Sequence, residues 1–485
     1  MHPHASLYQI NTRVWLTELS ATLHRTATLD DIPDASWDQL AEQGFDWIWL
    51  LSVWTTGERG RQVSCTNQGW RKEFEETLPD LQEADIGGSG FAIADYHVHP
   101  ALGGDASLKR LREKLHQRGL KLMLDFVPNH LGPDHPWVQA QPDYFISGTR
   151  ADLKNNPHNY GKFGKTIFAY GRDPYFSGWP DTVQLDYSKP EVVAAMQHEL
   201  IRMAGQCDGV RCDMAMLILP EVFEKTWGRK AQPFWPEAIR AVRKQHPDFC
   251  FMGEVYWDME WTLQQEGFDY TYDKRLYDRL REGRAKPVRD HFAAGLEYQN
   301  KLVRFLENHD EARAATAFDF RKHLAAAIIT YLAPGLRFFH QGQLEGKQKR
   351  ISPHLIRGPL ETIDSGVHLF YSDLLSLLRQ PLFHAQWQLV PCQPAWDGNG
   401  SWDSYLVFAW EEQAGRRALV VVNFAPHASQ CYVRLPYTEV ANRHVEFRDL
   451  MSVALYYHEG NEVLSRGIYF DLPAWGYHVF EVSAS

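Results

Sequence analysis

Four short polar clusters each end an apolar run in this chain, and together they hold the side chains of an acid–base reaction. They are Leu124-Asp125-Phe126-Val127-Pro128-Asn129-His130, Gly209-Val210-Arg211-Cys212-Asp213, Phe251-Met252-Gly253-Glu254-Val255 and Phe305-Leu306-Glu307-Asn308-His309-Asp310. Three acids, Asp213, Glu254 and Asp310, come with one arginine, Arg211, and two histidines, His130 and His309. That set suits cleavage of a glycosidic bond, in which one carboxyl group donates a proton and another attacks or activates water. Arg211 stands two residues before Asp213, where its charge would hold that carboxylate ionised. Glu254 has to carry a proton to act as an acid, so burial and a neighbouring carboxylate are expected to raise its pKa.

These clusters have to be positioned, and the elements around them suggest how. Apolar runs at 7–11, 46–51, 120–125, 208–213, 249–254, 267–270, 301–306 and 334–340 read as strands. Stretches of helical period at 35–43, 107–118, 190–205, 235–245, 274–282, 287–297, 311–331 and 366–379 read as helices. Strand and helix in alternation predict an α/β protein built as a (β/α)8 TIM barrel, whose active site lies at the C-terminal ends of the strands. All four clusters fall at such ends. Arg211 and Asp213 share one face of the fourth strand by the period of two, as do Met252 and Glu254 on the fifth.

In this order the clusters resemble the signatures of the α-amylase family of glycoside hydrolases. Asp125-Phe-Val-Pro-Asn129-His130 is similar to the first signature, Gly209-Val-Arg211-Cys-Asp213 to the second, Gly253-Glu254-Val to the third and Phe305-Leu-Glu-Asn-His309-Asp310 to the fourth; Gln184-Leu185-Asp186-Tyr187 resembles a further one. The resemblance implies Asp213 as nucleophile, Glu254 as acid and then base, and Asp310 as the acid that steadies an oxocarbenium-like transition state. It implies His130, His309, Arg211, Phe91 and Asp125 as substrate-binding residues. Phe91 falls where the family usually has a tyrosine stacked on the cleaved sugar. Asn129 matches a residue that helps bind calcium in many members, with Asp152 and Asp186 as further oxygen donors; the sequence commits to no metal. One departure follows the nucleophile: starch-cleaving members carry an alanine and then a Lys-His pair there, and this chain has Met214-Ala215-Met216-Leu217.

The expected organisation is a barrel over 1–130 and 187–383, an inserted small lobe over 131–186 after the third strand, and a C-terminal antiparallel β-sandwich over 384–485. Strand-like runs at 404–410, 418–424, 430–435 and 476–482, separated by turn residues, support the last. A second long excursion, 52–90, carries Trp54 and Trp70 and is expected to shape access to the site.

Composition narrows the class. Of 485 residues 44% are hydrophobic and 23% charged, as in an ordinary globular protein, and a net charge of -11 disfavours nucleic acid or an anionic membrane as partner. The first residues do not read as a secretion signal, and no apolar run reaches the length of a membrane span. The six cysteines are scattered without C-x-x-C spacing, which suggests no zinc or disulfide framework and suits a cytoplasmic protein. The expected substrate is an oligosaccharide, with no organic cofactor required. Hydrolysis and transfer to a sugar acceptor remain open together, as does a non-catalytic binding relative, although that class should have lost the acids. His97-Val98-His99 resembles the H-x-H pair of metal-dependent barrel hydrolases, but it follows the second strand instead of ending the first.

Overall fold

The structure, a computed structural model, describes residues 4–435 and 437–484. Eight parallel strands close into a barrel: β1 Ser6–Asn11, β2 Trp47–Leu51, β3 Lys121–Phe126, β4 Gly209–Cys212, β5 Cys250–Gly253, β6 Tyr270–Tyr272, β7 Leu302–Arg304 and β8 Leu336–His340. Each strand neighbours the strands before and after it in the chain, and β8 returns to β1. Strands of such a barrel are covered on both faces, so they read as unbroken apolar runs; every residue of Trp47-Ile-Trp-Leu-Leu51 is buried. All eight strands expected from the sequence are present.

The helices follow the expected order with instructive differences. Helix Thr12–Leu23, capped by the Asn11 side chain on the Val14 N–H, is not signalled by the periodicity of its residues. Helix Glu260–Glu266 is a second addition, and it moves the sixth strand from the expected 267–270 to 270–272. The reason is Gly267, which ends that helix in a left-handed conformation (φ 112°) and turns 267–269 into a connection. The expected helix 287–297 is two helices, Ala285–His291 and Leu296–Gln299. The expected helix 311–331 begins only at Ala314 and breaks again before Phe320. Its start is delayed because the Ala314 N–H is bound by the buried Glu307 carboxylate at 2.7 Å, leaving 308–313 to form a turn.

The excursion over 52–90 holds helices Glu58–Thr66 and Gln68–Thr77, and its first strand, Trp54–Thr56, pairs with Ile93–Val98. The segment 131–186 contains a hairpin, Tyr160–Phe163 with Thr166–Ala169, and is tied at its neck by His130–Leu131 pairing with Val183–Gln184. The C-terminal region is a β-sandwich. Strands Gln386–Leu389, Tyr405–Glu411, Arg417–Asn423, Tyr477–Ala484, His444–Asp449 and Leu455–Glu459 form one sheet in that order. Strands Cys392–Gln393, Ser429–Val433 and Ile468–Leu472 form the other, and Val407, Leu419 and Val421 of the first sheet share a core with Cys431, Val433 and Phe470 of the second. All six cysteines are buried and free.

The chain divides into two compact units. The larger comprises Leu7–Tyr272 and Lys349–Leu360; the smaller holds Asp273–Gln348 and the chain from Glu361 onward. Within the smaller unit the sandwich is bonded to barrel segments: Trp410 Nε1 donates to the Leu332 carbonyl at 2.9 Å, and Arg289 donates to the Asp403 and Tyr405 carbonyls.

Register sets the level of each functional side chain. Arg211 lies opposite Asp125 on β3 and Met252 on β5, so the three stand at one height on one face. Asp213 and Glu254 stand one step higher on that face. Gly253 lets β5 approach its covering layer, because a Cβ there would meet the Phe268 ring at 3.0 Å and Leu263 at 3.2 Å. Gly253→Ala should therefore destabilise by about 1–3 kcal/mol, as overpacking does. The check is the thermal midpoint at a fixed scan rate; an unchanged midpoint would show that the layer has room to yield.

Candidate active site

The site in the larger unit is organised around one guanidinium. Arg211 lies inside the barrel with a side chain only 1% exposed. Its Nη1 donates to Asp213 Oδ1 at 2.8 Å and stands 3.6 Å from Asp125 Oδ1, and its Nη2 donates to Glu254 Oε2 at 2.6 Å. Three rings face the same guanidinium: Trp49 at 5.4 Å, Phe91 at 5.2 Å and Tyr272 at 5.9 Å. Burial opposes its charge, but the surrounding carboxylates outweigh that and hold its pKa well above the ordinary arginine value.

The two acids are held by backbone as well. The Asp213 N–H donates to the Phe126 carbonyl at 2.8 Å, and the Glu254 N–H to the Cys212 carbonyl at 3.0 Å, so the barrel ladder continues through both positions. Met214 then takes a left-handed conformation (φ 42°), which turns its N–H onto Glu254 Oε2 at 2.8 Å. The Tyr256 hydroxyl donates to the other oxygen, Glu254 Oε1, at 2.7 Å. Three donors thus face Glu254, two on Oε2 and one on Oε1.

Burial acts most visibly on a third carboxyl group of the cluster. Three buried carboxyl groups, Asp125, Asp213 and Glu254, surround one cation. Burial pushes the Asp125 carboxyl up to about 7, against the pull of Arg211, the Ser52 N–H and Trp49, with Asp213 adding repulsion. Asp125 lies beside the two acids, and the Ser52 N–H donates to its Oδ2 at 3.3 Å.

His130 is buried next to Trp179, with ring centroids 5.3 Å apart, and is linked to Phe91 through the latter's backbone. Burial lowers its pKa to about 3, so it is a neutral hydrogen-bonding group at physiological pH. Phe91 stacks on Arg211, where the sequence suggests a ring for the sugar. Asp310 and His309 follow β7 in the smaller unit. There His309 Nε2 is 3.1 Å from Asp310 Oδ2, Asp310 is exposed, and the Asn308 side chain holds the turn by accepting from the Asp310 and Glu311 N–H groups.

The oxygen donors that the resemblance offers for calcium have other partners. Asn129 Oδ1 accepts from Gln184 Nε2 at 3.0 Å, Asp186 binds Arg229 at 2.5 Å, and Asp152 Oδ2 accepts from the Thr149 N–H and hydroxyl at 2.8 Å. An arginine on Asp186 opposes a cation there, so these residues do not fit a calcium site. His97 bonds Asp105 at 2.5 Å on the surface, and among the described residues no group of three His, Cys, Asp or Glu side chains could hold a metal.

Four contributors go unmarked by the sequence motifs: Trp49, Tyr272, Tyr256 and the Met214 N–H. Trp49 and Tyr272 sit on barrel strands at positions that point inward, and Tyr256 has the same parity as Glu254. The alternation is legible, but rings in apolar strands look like core. Beyond Tyr256, Trp257 packs edge to face on Tyr175 of the 131–186 segment at 5.0 Å, and both rings are exposed. Met216 and Leu217, where polar residues stand in starch-cleaving members, are buried.

The fold is a closed parallel barrel, and an arginine bridges a pair of carboxyl groups at adjacent strand ends. The chain belongs to the alpha-amylase family: the family model for the alpha-amylase catalytic domain matches residues 36–354. Alpha-amylase 3 of Dictyoglomus thermophilum is 26% identical over 303 residues, 57% of this chain and 57% of that protein. The intracellular maltogenic amylase of Bacillus subtilis strain 168 is 25% identical over 322 residues, 61% of this chain and 51% of that one. The chain thus spans little more than half the length of these relatives. Among solved structures, the alpha-amylase of Geobacillus thermoleovorans complexed with acarbose aligns with a TM-score of 0.67 at 19% identity, over 99% of this chain and 98% of that one. That likeness shows the fold. No helix among the described residues is long and apolar enough to cross a membrane.

The Asp125 proton gives a test of the cluster's electrostatics. The folded protein holds it up to about pH 7, whereas the ordinary value is 3.8. Between those values the folded state binds more protons than the unfolded chain, so this contribution to stability is full below 3.8 and lost as pH rises through about 7. Asp125→Asn should lack that component. Thermal midpoints of the two proteins between pH 4 and 8 check it, and parallel curves would refute the raised pKa.

Proposed function

We propose that this protein is a retaining glycosidase that cleaves α-glucosidic bonds in malto-oligosaccharides through a covalent glycosyl-enzyme. The observation that carries the reading is the Arg211 bridge. One guanidinium bonded to both Asp213 and Glu254 supports the short carboxyl separation of about 5–5.5 Å that retention requires.

In this reading Asp213, kept ionised by Arg211, attacks the anomeric carbon. Glu254 donates a proton to the leaving oxygen and then takes one from the incoming water. Asp310 steadies the positive charge that develops on the sugar ring, and His130 and His309 bond its hydroxyls. Asp125 braces Arg211 from below. Water and two carboxyl groups complete the cycle without an organic cofactor.

Transfer to a second sugar is the alternative, and one observation favours keeping it. The residues after the nucleophile are buried and apolar, while the Tyr175 and Trp257 rings are exposed. Such rings accept the apolar face of a sugar and so favour an acceptor over water. Maltosyltransferases stand among the relatives; that of Bifidobacterium longum, named for transfer between an alpha-1,4-glucan and maltose 1-phosphate, is 26% identical over 226 residues. A cytoplasmic location is part of the proposal, supported by the name of the intracellular Bacillus relative and by six buried free thiols.

Asp213→Asn and Glu254→Gln should each lower turnover of maltopentaose by roughly a thousandfold or more while leaving the thermal midpoint near that of the wild type. Substantial residual activity in either variant would overturn the roles assigned to Asp213 and Glu254. Product analysis by mass and anomeric NMR separates the two reactions. Shorter sugars alone, released first as the α-anomer, mean hydrolysis, and longer sugars beside them mean transfer.

A further inference from the structure

The two oxygens of Glu254 are not equivalent. Oε2 receives the Arg211 Nη2–H at 2.6 Å and the Met214 N–H at 2.8 Å. Both groups can only donate. A proton on Oε2 would point against one of them and break a charge-assisted bond. Oε1 receives the Tyr256 hydroxyl at 2.7 Å, and a hydroxyl can donate or accept. A proton on Oε1 therefore keeps its hydrogen bond to Tyr256, which can turn from donor to acceptor.

We propose that the Tyr256 hydroxyl selects Oε1 as the oxygen that carries and delivers the catalytic proton, which makes Tyr256 a positioning residue for the acid–base step. The inference rests on Glu254 being the acid and base of the proposed reaction. When Glu254 is ionised, Tyr256 donates to Oε1 and stabilises the carboxylate. When Glu254 is protonated, the Tyr256 oxygen faces the O–H and keeps it out of the Arg211–Met214 corner, and the proton then passes from Oε1 to the leaving oxygen. In the second half-reaction Oε1 takes a proton from water and the hydroxyl returns to accepting. Among the charged and titratable groups near Glu254 in this unit are Arg211 of β4 and Asp213 just after it, with Asp125 of β3 and Tyr272 of β6 facing the same guanidinium. Tyr256 differs from the arginine in being able to reverse its hydrogen bond, and it is only half-buried.

The test compares two substrates that differ in their need for the proton. Maltopentaose has a sugar leaving group that must be protonated; α-maltosyl fluoride loses fluoride without that help. Tyr256→Phe removes one oxygen atom and no packing. It should lower kcat/KM for maltopentaose by about tenfold and move the alkaline limb of its pH profile up by roughly one pH unit, since the lost hydroxyl favoured the ionised carboxylate. For the fluoride kcat/KM should change by less than about twofold. Replacing Tyr256 with 3-fluorotyrosine, a stronger donor, should move the limb the other way. Equal losses on both substrates, or profiles that do not move in either variant, overturn the inference. Glu254→Gln separates the two levels of the argument: it should retain glycosylation by the fluoride while losing maltopentaose. A wild type inert toward both substrates, or a Glu254→Gln variant that still cleaves maltopentaose, overturns the functional reading and this inference with it.

Discussion

A single buried guanidinium sets the terms for the upper part of the barrel. Arg211 has no exposed surface to share its charge with water, so carboxylates must supply what burial removes. Asp213, Glu254 and Asp125 do so from β4, the end of β5 and β3, and the Trp49, Phe91 and Tyr272 rings close the remaining sides. One cation cannot balance three buried carboxyl groups. Asp125, the most enclosed of the three, is the acid that burial pushes towards neutrality.

The barrel delivers these groups by register alone. Because β3, β4 and β5 are in phase, Asp125, Arg211 and Met252 share one level and the two acids share the next. The chain then turns at Met214 through a left-handed residue, so that its N–H meets Glu254 while the segment that follows is buried.

Much of this is legible in the sequence because barrel strands and strand ends carry strong signals. Apolar runs ending in acids are rare, and their order points to the succession of strands and to Asp213, Glu254, Arg211, Asp125 and His130 as site residues. The differences cluster where local signals compete. Gly267 reads as the start of a strand although it caps a helix, and the apparent helix from 311 is delayed because Glu307 binds the Ala314 N–H. Asp186 offers an oxygen for calcium, but its partner is Arg229, forty-three positions later in the chain. No local pattern reports such a pairing.

The sequence by itself determined the strand-and-helix alternation, the phase of the acids on their strands and the side-chain chemistry available, because these depend on periods of two and 3.6 that neighbouring residues express directly. Only the tertiary structure decided which atoms meet. Arg211 touches Glu254, forty-three residues away, as closely as it touches Asp213, two residues away, because adjacent parallel strands bring distant positions to one height. The ionisation of Asp125, the stacking of Phe91 on the arginine and the two unlike oxygens of Glu254 all follow from that closure. Dielectric environment and hydrogen-bond geometry belong to the assembled barrel and are carried by no single stretch of chain.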